Sequence, residues 1–149
     1  EIGVRLVGSE MCIRDSLKAH VEKECKEKGL KVVFTGNQDV DMVRNLMNTM
    51  DVMIIPSRRE GFGCVITEAN ACGVPVVGSD AGGISEAIGI KENIVADGDE
   101  FEIRIAKRVA EVANSENDKE YLSKYTLENF SWDKIAEDEA SFYGEGDIR

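Results

Sequence analysis

Short apolar runs alternate with longer amphipathic segments along the chain, and this alternation limits the possible folds more than any other feature. The apolar runs are too short for helices, which is typical of strands buried on both faces. The segments between them repeat apolar residues near the helical period. The predicted strands are 3–8, 31–36, 51–57, 73–80 and 92–98, and the predicted helices are 16–30, 39–50, 64–72, 82–89, 99–114, 116–129 and a last one from Trp132.

Buried strands alternating with helices predict an α/β fold class, with a Rossmann-like parallel sheet sandwiched by helices. Right-handed crossovers put the strand-to-helix loops at one edge of such a sheet, and ligands bind there, beyond the carboxyl ends of the strands. The unusual loops of this sequence fall on that edge, so we expect a binding site there. They contain Gly8, Gly36, residues 56–63 and residues 79–83.

The chain has 149 residues, which corresponds to one ordinary domain of roughly 150 residues. We therefore predict a single Rossmann-like domain over 1–149, large enough to bury a core without disulfides or metals. Residues 144–149 are predicted to form a frayed tail. Because the chain begins directly on a strand, we expect the natural protein to continue upstream.

The net charge of −11 at pH 7 argues against nucleic acid as a partner, because proteins that bind it need a basic surface. The cysteines, Cys12, Cys25, Cys64 and Cys72, show no CxxC spacing and are predicted to be buried reduced thiols, as in a cytoplasmic protein. Scattered cysteines and the single His20, predicted to lie on the surface, provide no metal-ligand set. No apolar run is long enough to cross a bilayer.

The stretch EGFGCVITEANACG, residues 60–73, carries the most specific chemistry. Gly61 and Gly63 precede a helix, where glycine lets the backbone approach a ligand closely. The first turn of a helix has unpaired N–H groups and a positive dipole, so such a turn can bind phosphate. Glycines before a helix also occur in turns that bind nothing, so this pattern alone leaves both interpretations open.

The two carboxylates, Glu60 and Glu68, bear on whether this turn binds a ligand. A carboxylate is costly to bury without partners, and Glu68 lies among small and apolar residues of the predicted helix. One interpretation is that Glu68 points outward beside Asn70. The other is that it accepts hydrogen bonds from the 2′- and 3′-hydroxyls of a ribose, with the phosphates at the helix start and Glu60 beyond them.

The run PSRREGFGCVITEANACGVPVVGSDAGGISE, residues 56–86, closely resembles the donor-binding half of retaining glycosyltransferases of the GT-B fold. Its spacing of Glu60 and Glu68 is similar to the E-x7-E signature of that family, and the resemblance covers residues 31–143. By this resemblance, Glu68 would bind ribose hydroxyls and Glu60, the candidate catalytic residue, would contact the donor sugar. The amides of Phe62, Gly63 and Cys64 would hold the diphosphate and sugar, while the region after Gly36 would touch the nucleobase.

The resemblance implies a nucleotide-diphosphate sugar as the donor substrate, transfer with retention, and no cofactor or metal. It also implies a second, N-terminal domain that binds a glycan or lipid-linked acceptor, for which these 149 residues have no room. The basic pair that neutralises the diphosphate in the family would lie upstream as well. We expect a cytoplasmic protein, peripheral at the inner membrane face in its full-length form, and an inactive isolated fragment.

Three departures from the family pattern bear on these expectations. Arg58 and Arg59 could replace the basic pair, but consecutive residues of an extended loop point in different directions, and solvated side chains are the simpler prediction. Ser85 stands where the family commonly has Pro, so Glu86 could either bind the ligand or cap the helix. Residues 6–16 resemble translated sequencing-adapter read-through, so 1–16 is predicted to be altered sequence or an ordinary divergent loop.

Two other functions share this fold class. A nucleotide-sugar epimerase would bind the same kind of ligand, although the context of Glu60 and Glu68 is that of transferases. A binding module without turnover would keep the donor site and lack the acceptor half. Sugar transfer that appears only when an acceptor domain is supplied would separate a transferase from a binding module.

Overall fold

The computed structural model describes residues 4–6 and 15–144. In this part of the chain parallel strands and helices alternate in sequence, as predicted. Each apolar run forms a strand, and each amphipathic segment forms a helix. The elements are β1 (Val4–Leu6), α1 (Asp15–Glu27), β2 (Val32–Phe34), α2 (Val40–Met47), β3 (Met53–Ile55), α3 (Cys64–Ala71), β4 (Val76–Ser79), α4 (Ile84–Ile88), a 3-10 turn (Lys91–Asn93), β5 (Ile94–Val95), α5 (Phe101–Ala113), α6 (Lys119–Phe130) and α7 (Trp132–Gly144).

The chain divides into two compact units, and the first comprises Glu1–Asn45. Within it β1 and β2 pair in parallel, with Val4 opposite Val32. Helix α1 connects these strands and ends where Gly29 adopts φ +65°. Leu30 N donates to Cys25 O at 2.8 Å, which closes the last turn as helices that end on a left-handed glycine do.

The second unit comprises Leu46–Arg149 and contains the three-stranded parallel sheet β3-β4-β5. Strand β4 is central, with Met53 of β3 opposite Val76 and Ile94 of β5 opposite Gly78. Pro75 lies directly before β4, where proline's missing N–H interrupts no strand hydrogen bond, and its carbonyl accepts from Met53 N at 2.9 Å. All four residues of β4 are buried, as expected for a central parallel strand.

The core of the second unit packs helices against this sheet. Val77 of β4 packs with Val95 of β5 and with Phe101, Ile105 and Val112, which recur on one face of α5. On the other elements, buried residues follow the helical period and face inward. They are Ile66 and Ala69 in α3, Ile84, Ala87 and Ile88 in α4, and Leu122 in α6.

The predicted α/β fold class is confirmed, with the parallel strands in a two-stranded and a three-stranded sheet. That residues 1–149 form one domain stays a prediction. The strands are shorter than predicted because their flanking residues belong to the connecting loops. Gly144 ends α7. Residues 7–14 of the unusual N-terminal segment, with Gly8 and Cys12, and residues 145–149 of the predicted tail lie outside the described residues.

The prediction of buried cysteines is wrong for the three that the structure describes. Cys64 is exposed, Cys25 and Cys72 are half-buried, and none of the three forms a disulfide with another described residue. Cys64 is the first residue of α3, and the residues of this helix that face the core are Ile66, Ala69 and Asn70. Within the described ranges no helix is long and apolar enough to cross a membrane.

Candidate functional site

The loop after β3 leads into α3 through a left-handed glycine. Gly63 is the N-cap residue with φ +78°, and no side chain caps this helix end. The backbone amides of Phe62, Gly63 and Cys64 donate no hydrogen bond to any residue that the structure describes. Three neighbouring donors at the positive end of a helix therefore stay available for an anion.

The loop after β4 lies directly against this first loop. Gly83 N donates to Gly61 O at 2.7 Å. A Cβ atom at Gly82 would lie 2.0 Å from Glu60 O, and one at Gly83 would lie 2.6 Å from Gly61 O. The two loops can approach this closely only because residues 82 and 83 are glycines. The structure thus brings together the two glycine-rich loops that the sequence placed at one edge of the sheet.

The two carboxylates of the motif lie before and after the unpaired amides. Glu60 is exposed, and its Oε1 accepts a hydrogen bond from its neighbour Gly61 N at 3.1 Å. Glu68 is exposed, and among the described residues none donates to its carboxylate. At a helical rise of about 1.5 Å per residue, Glu68 lies about 6 Å along the axis from Cys64. Both carboxylates are solvated and can accept hydrogen bonds from hydroxyls.

Asn70, which would lie outside beside Glu68 under one of the two interpretations of the sequence, is buried at 1% exposure. Its Nδ2 donates to Ala87 O at 3.1 Å and Ile88 O at 3.4 Å, at the C-terminal end of α4. This side chain therefore joins α3 to α4. The spacing of four residues from Ile66, a core position, puts Asn70 on the same helical face and could have predicted its burial.

An aromatic cluster packs against the loop that leads into α3. The half-buried ring of Phe62 packs edge-to-face on Phe130, with centroids 5.3 Å apart, and Phe130 packs on Tyr125 at 5.8 Å. The Tyr125 hydroxyl donates to Glu86 O at 3.2 Å. Burial raises the pKa of Tyr125, and the neighbouring Tyr121 and Glu86 raise it further. Phe62 thus fixes the loop through its ring and leaves its amide free.

Arg58 is exposed, as predicted for a solvated side chain, and it is also paired within the chain. Its Nη2 donates to Glu102 Oε1 at 3.1 Å, its Nε lies 3.5 Å from Asp97 Oδ1, and it covers the ring of Phe101. Both carboxylate partners lie after β5. Sequence periodicity could not predict that they contact residue 58. Arg59 is exposed and has no partner within the described ranges.

Two other polar contacts join the same loops. The buried Ser79 hydroxyl donates to Ser57 O, between the ends of β4 and β3. Asp97 N donates to Asp80 Oδ1 at 3.1 Å, between the loops after β5 and β4. The loops at the carboxyl ends of β3, β4 and β5 are therefore held to one another by hydrogen bonds.

Gly36 lies two residues after β2, in the first unit, with φ +62°, and a Cβ atom there would meet nothing within 4 Å. A contact of this region with a nucleobase stays a prediction. In the parts of the chain that the structure describes, no group of three or more His, Cys, Asp or Glu side chains is placed to hold a metal ion.

Comparison with known proteins shows the family. Residues 2–129 match the family described as glycosyl transferases group 1. An uncharacterized glycosyltransferase of Methanocaldococcus jannaschii is 35% identical over 133 residues, which is 85% of this chain and 34% of that protein. A D-inositol 3-phosphate glycosyltransferase of Salinispora tropica is 30% identical over 119 residues, or 77% of this chain and 24% of that protein.

A solved structure shares the fold. The crystal structure of Anabaena HepE in complex with UDP-glucose matches 97% of this chain and 41% of its own chain, with a TM-score of 0.69 and 24% sequence identity. The chain thus spans about a third of the length of the first curated relative that it matches. On the match over residues 2–129 and on these relatives, the chain belongs to the group 1 glycosyl transferase family.

Proposed function

We propose that this chain is the donor-binding domain of a retaining glycosyltransferase and binds a nucleotide-diphosphate sugar. One observation carries the proposal: the free amides of Phe62, Gly63 and Cys64 lie between two solvated carboxylates, Glu60 and Glu68. This order of groups along the loop and helix suits a ligand with hydroxyls at both ends and phosphates between them.

The amides at the start of α3 would bind the diphosphate. They carry the positive end of the helix dipole, so they attract an anion locally although the whole chain has a net charge of −11. In a transfer reaction the same donors would stabilise the negative charge that develops on the leaving diphosphate. Arg59 is exposed, has no partner among the described residues, and would add to this stabilisation.

Glu68 would bind the ribose hydroxyls and Glu60 the hydroxyls of the sugar. Both carboxylates are charge-assisted acceptors, which bind hydroxyls about twice as strongly as neutral groups do. The HepE structure was solved with UDP-glucose, which supports this class of donor for a chain of the same fold. Membership in a transferase family favours transfer over epimerisation.

Acceptor binding and turnover are proposed to need a domain outside these 149 residues, since the match to the first relative covers only 34% of that protein. That domain would bind a glycan or lipid-linked acceptor. The region after Gly36 would contact the nucleobase, and neither metal nor cofactor would take part.

Calorimetric titration of the 149-residue chain with UDP, GDP and ADP, and then with their sugar conjugates, tests the proposal. We expect saturable binding of one nucleotide. Glu68→Ala should weaken it about 10- to 150-fold, because a hydrogen bond to a charged group contributes about 1.5–3 kcal/mol. Glu139→Ala, which removes an exposed carboxylate from α7, is the matched control and should bind as the original chain does.

Two results would overturn the proposal. If the folded chain binds none of the nucleotides or their conjugates, it is not a donor domain by itself. If Glu68→Ala and Glu139→Ala bind a nucleotide equally well, the ribose does not lie at Glu68.

A further inference from the structure

Arg58 lies in the loop of residues 57–63 that leads to the candidate donor-binding amides, yet its guanidinium contacts residues at the start of α5. Nη2 donates to Glu102 Oε1 at 3.1 Å, and Nε lies 3.5 Å from Asp97 Oδ1. The guanidinium carbon lies 5.9 Å from the centroid of the Phe101 ring, a residue that is itself buried in the core. Two carboxylates and an aromatic face thus hold one side chain.

We propose that Arg58 is a positioning residue, which ties the loop of residues 57–63 to the start of α5 and thereby orders the donor-binding amides. The functional part of this inference rests on the proposed function. Arg58 would not bind the diphosphate, because two carboxylates already neutralise its charge.

The neighbouring contacts extend the same connection. Asp97, the second partner of Arg58, donates its own amide to Asp80 Oδ1 at 3.1 Å, in the loop after β4. That loop continues to Gly83, whose amide donates to Gly61 O at 2.7 Å. Arg58 and Gly61 are therefore two attachments of one loop to the structure around it. Releasing the first leaves residues 57–63 held by the second, by the hydrogen bond from Ser79 to Ser57 O and by the packing of Phe62 on Phe130.

The small free energy expected of exposed ion pairs favours a role of Arg58 in positioning the loop over a role in stabilising the whole fold. The side chains of Arg58, Asp97 and Glu102 are 62%, 50% and 78% exposed. Exposed ion pairs contribute little to the stability of a protein. Their loss is therefore expected to appear as local loosening of the loop, with unfolding of the whole chain nearly unchanged.

Hydrogen exchange of the Gly83 amide measures this tether without any ligand. Arg58→Met should accelerate exchange at Gly83 roughly two- to fivefold, the range expected for losing an exposed ion pair. Glu102→Gln should act in the same direction, and the double variant should exchange no faster than Arg58→Met alone, because both changes break one interaction. Lys124→Met breaks an exposed pair with Glu128 on α6 and should leave Gly83 unchanged.

Arg58→Lys refines this test. Lysine keeps the charge but is a point charge without the planar fork that reaches two carboxylates and covers a ring. We expect an exchange rate between those of the original chain and Arg58→Met. Unchanged exchange at Gly83 in both Arg58→Met and Glu102→Gln would overturn the tether, whether or not the chain binds a nucleotide.

Donor affinity then separates a positioning residue from a ligand of the diphosphate. If Arg58 positions the loop, Arg58→Met and Glu102→Gln both weaken binding of the nucleotide, at an unchanged free energy of unfolding. If Arg58 is itself a phosphate ligand, Glu102→Gln frees its charge and strengthens binding, which would overturn the inference. If the original chain binds no nucleotide, the proposed function fails, and the exchange at Gly83 still decides whether Arg58 tethers the loop.

Discussion

The amide of Gly83 donates a 2.7 Å hydrogen bond to the carbonyl oxygen of Gly61, so the loops that follow β4 and β3 meet backbone to backbone. A side chain at residue 83 has no room, because its Cβ would lie 2.6 Å from Gly61 O and 2.9 Å from Phe62 Cα. The shape of the candidate phosphate site therefore depends on a residue that contributes no functional group to it.

Gly83→Ala should destabilise the chain and disturb the site. The added methyl group contacts backbone atoms, which cannot rotate away, and such overpacking costs about 1–3 kcal/mol. Urea unfolding measures this cost. Gly61→Ala is the matched control, since a Cβ there would meet nothing within 4 Å, and its effect should stay within about 0.5 kcal/mol. Equal unfolding free energies for the two variants would contradict the close contact of the loops.

Gly63→Ala should weaken nucleotide binding by straining the N-cap of α3. Residue 63 has φ +78°, a conformation that costs a residue with a side chain about 1–2 kcal/mol. Gly29→Ala is the matched control, with φ +65° and open space around it, in the other unit of the chain. Gly63→Ala should lose at least as much unfolding free energy as Gly29→Ala, because its Cβ would also lie 3.0 Å from Ile66 Cδ1. Calorimetry should show weaker nucleotide binding only for Gly63→Ala. Unchanged affinity in Gly63→Ala would mean that these amides do not hold the phosphates.

The sequence predicted the features that depend on neighbouring residues better than those that depend on residues far apart along the chain. The strand β4 and the helix α3 follow from local patterns, namely a continuous apolar run and a glycine-bounded segment of small residues. The left-handed conformation of Gly63 before the helix could also be predicted, because few residues other than glycine adopt it. Local patterns therefore predicted that the glycine-rich loops after β3 and β4 lie together, and the structure confirms this contact.

The details that the sequence did not predict involve partners far along the chain. Arg58 pairs with Glu102, which is 44 residues away, and no periodicity connects the two. The amide of Asn70 finds its acceptors 17 and 18 residues away, in α4. The exposed Cys64 was predicted to be buried from residue type alone, although its position at the start of α3 turns it away from the core.

Glu60→Ala should separate recognition of the sugar from recognition of the nucleotide. Glu60 precedes the free amides, so its carboxylate is proposed to contact only the part of the donor beyond the phosphates. We expect nearly unchanged affinity for the nucleoside diphosphate and a loss of about 10- to 150-fold for its sugar conjugate. Glu68→Ala should instead weaken both ligands equally. Calorimetry with both ligands on both variants measures the difference, and an equal loss for the two ligands in Glu60→Ala would contradict this role.

Tyr125 should make stability depend on pH in the alkaline range. Burial raises its pKa above the ordinary value of 10.0, with Tyr121 and Glu86 adding to the shift. Because the folded state favours the neutral phenol, its contribution to stability is fully present below pH 10 and is lost as the pH rises through the raised pKa. Tyr125→Phe removes this titration and also the hydrogen bond to Glu86 O, which contributes about 0.5–1.5 kcal/mol.

Urea unfolding of the original chain and Tyr125→Phe, at about pH 8 and about pH 11, tests this dependence. We expect Tyr125→Phe to be the less stable chain at the lower pH and the difference to shrink at the higher pH. Tyr143→Phe, which changes an exposed tyrosine of α7, is the control and should follow the original chain at the lower pH. Since Tyr125 also packs on Phe130, which contacts Phe62, ionisation of the phenol is expected to loosen the donor loop in the same alkaline range. A stability difference between Tyr125→Phe and the original chain that stays constant with pH would show that Tyr125 does not titrate there.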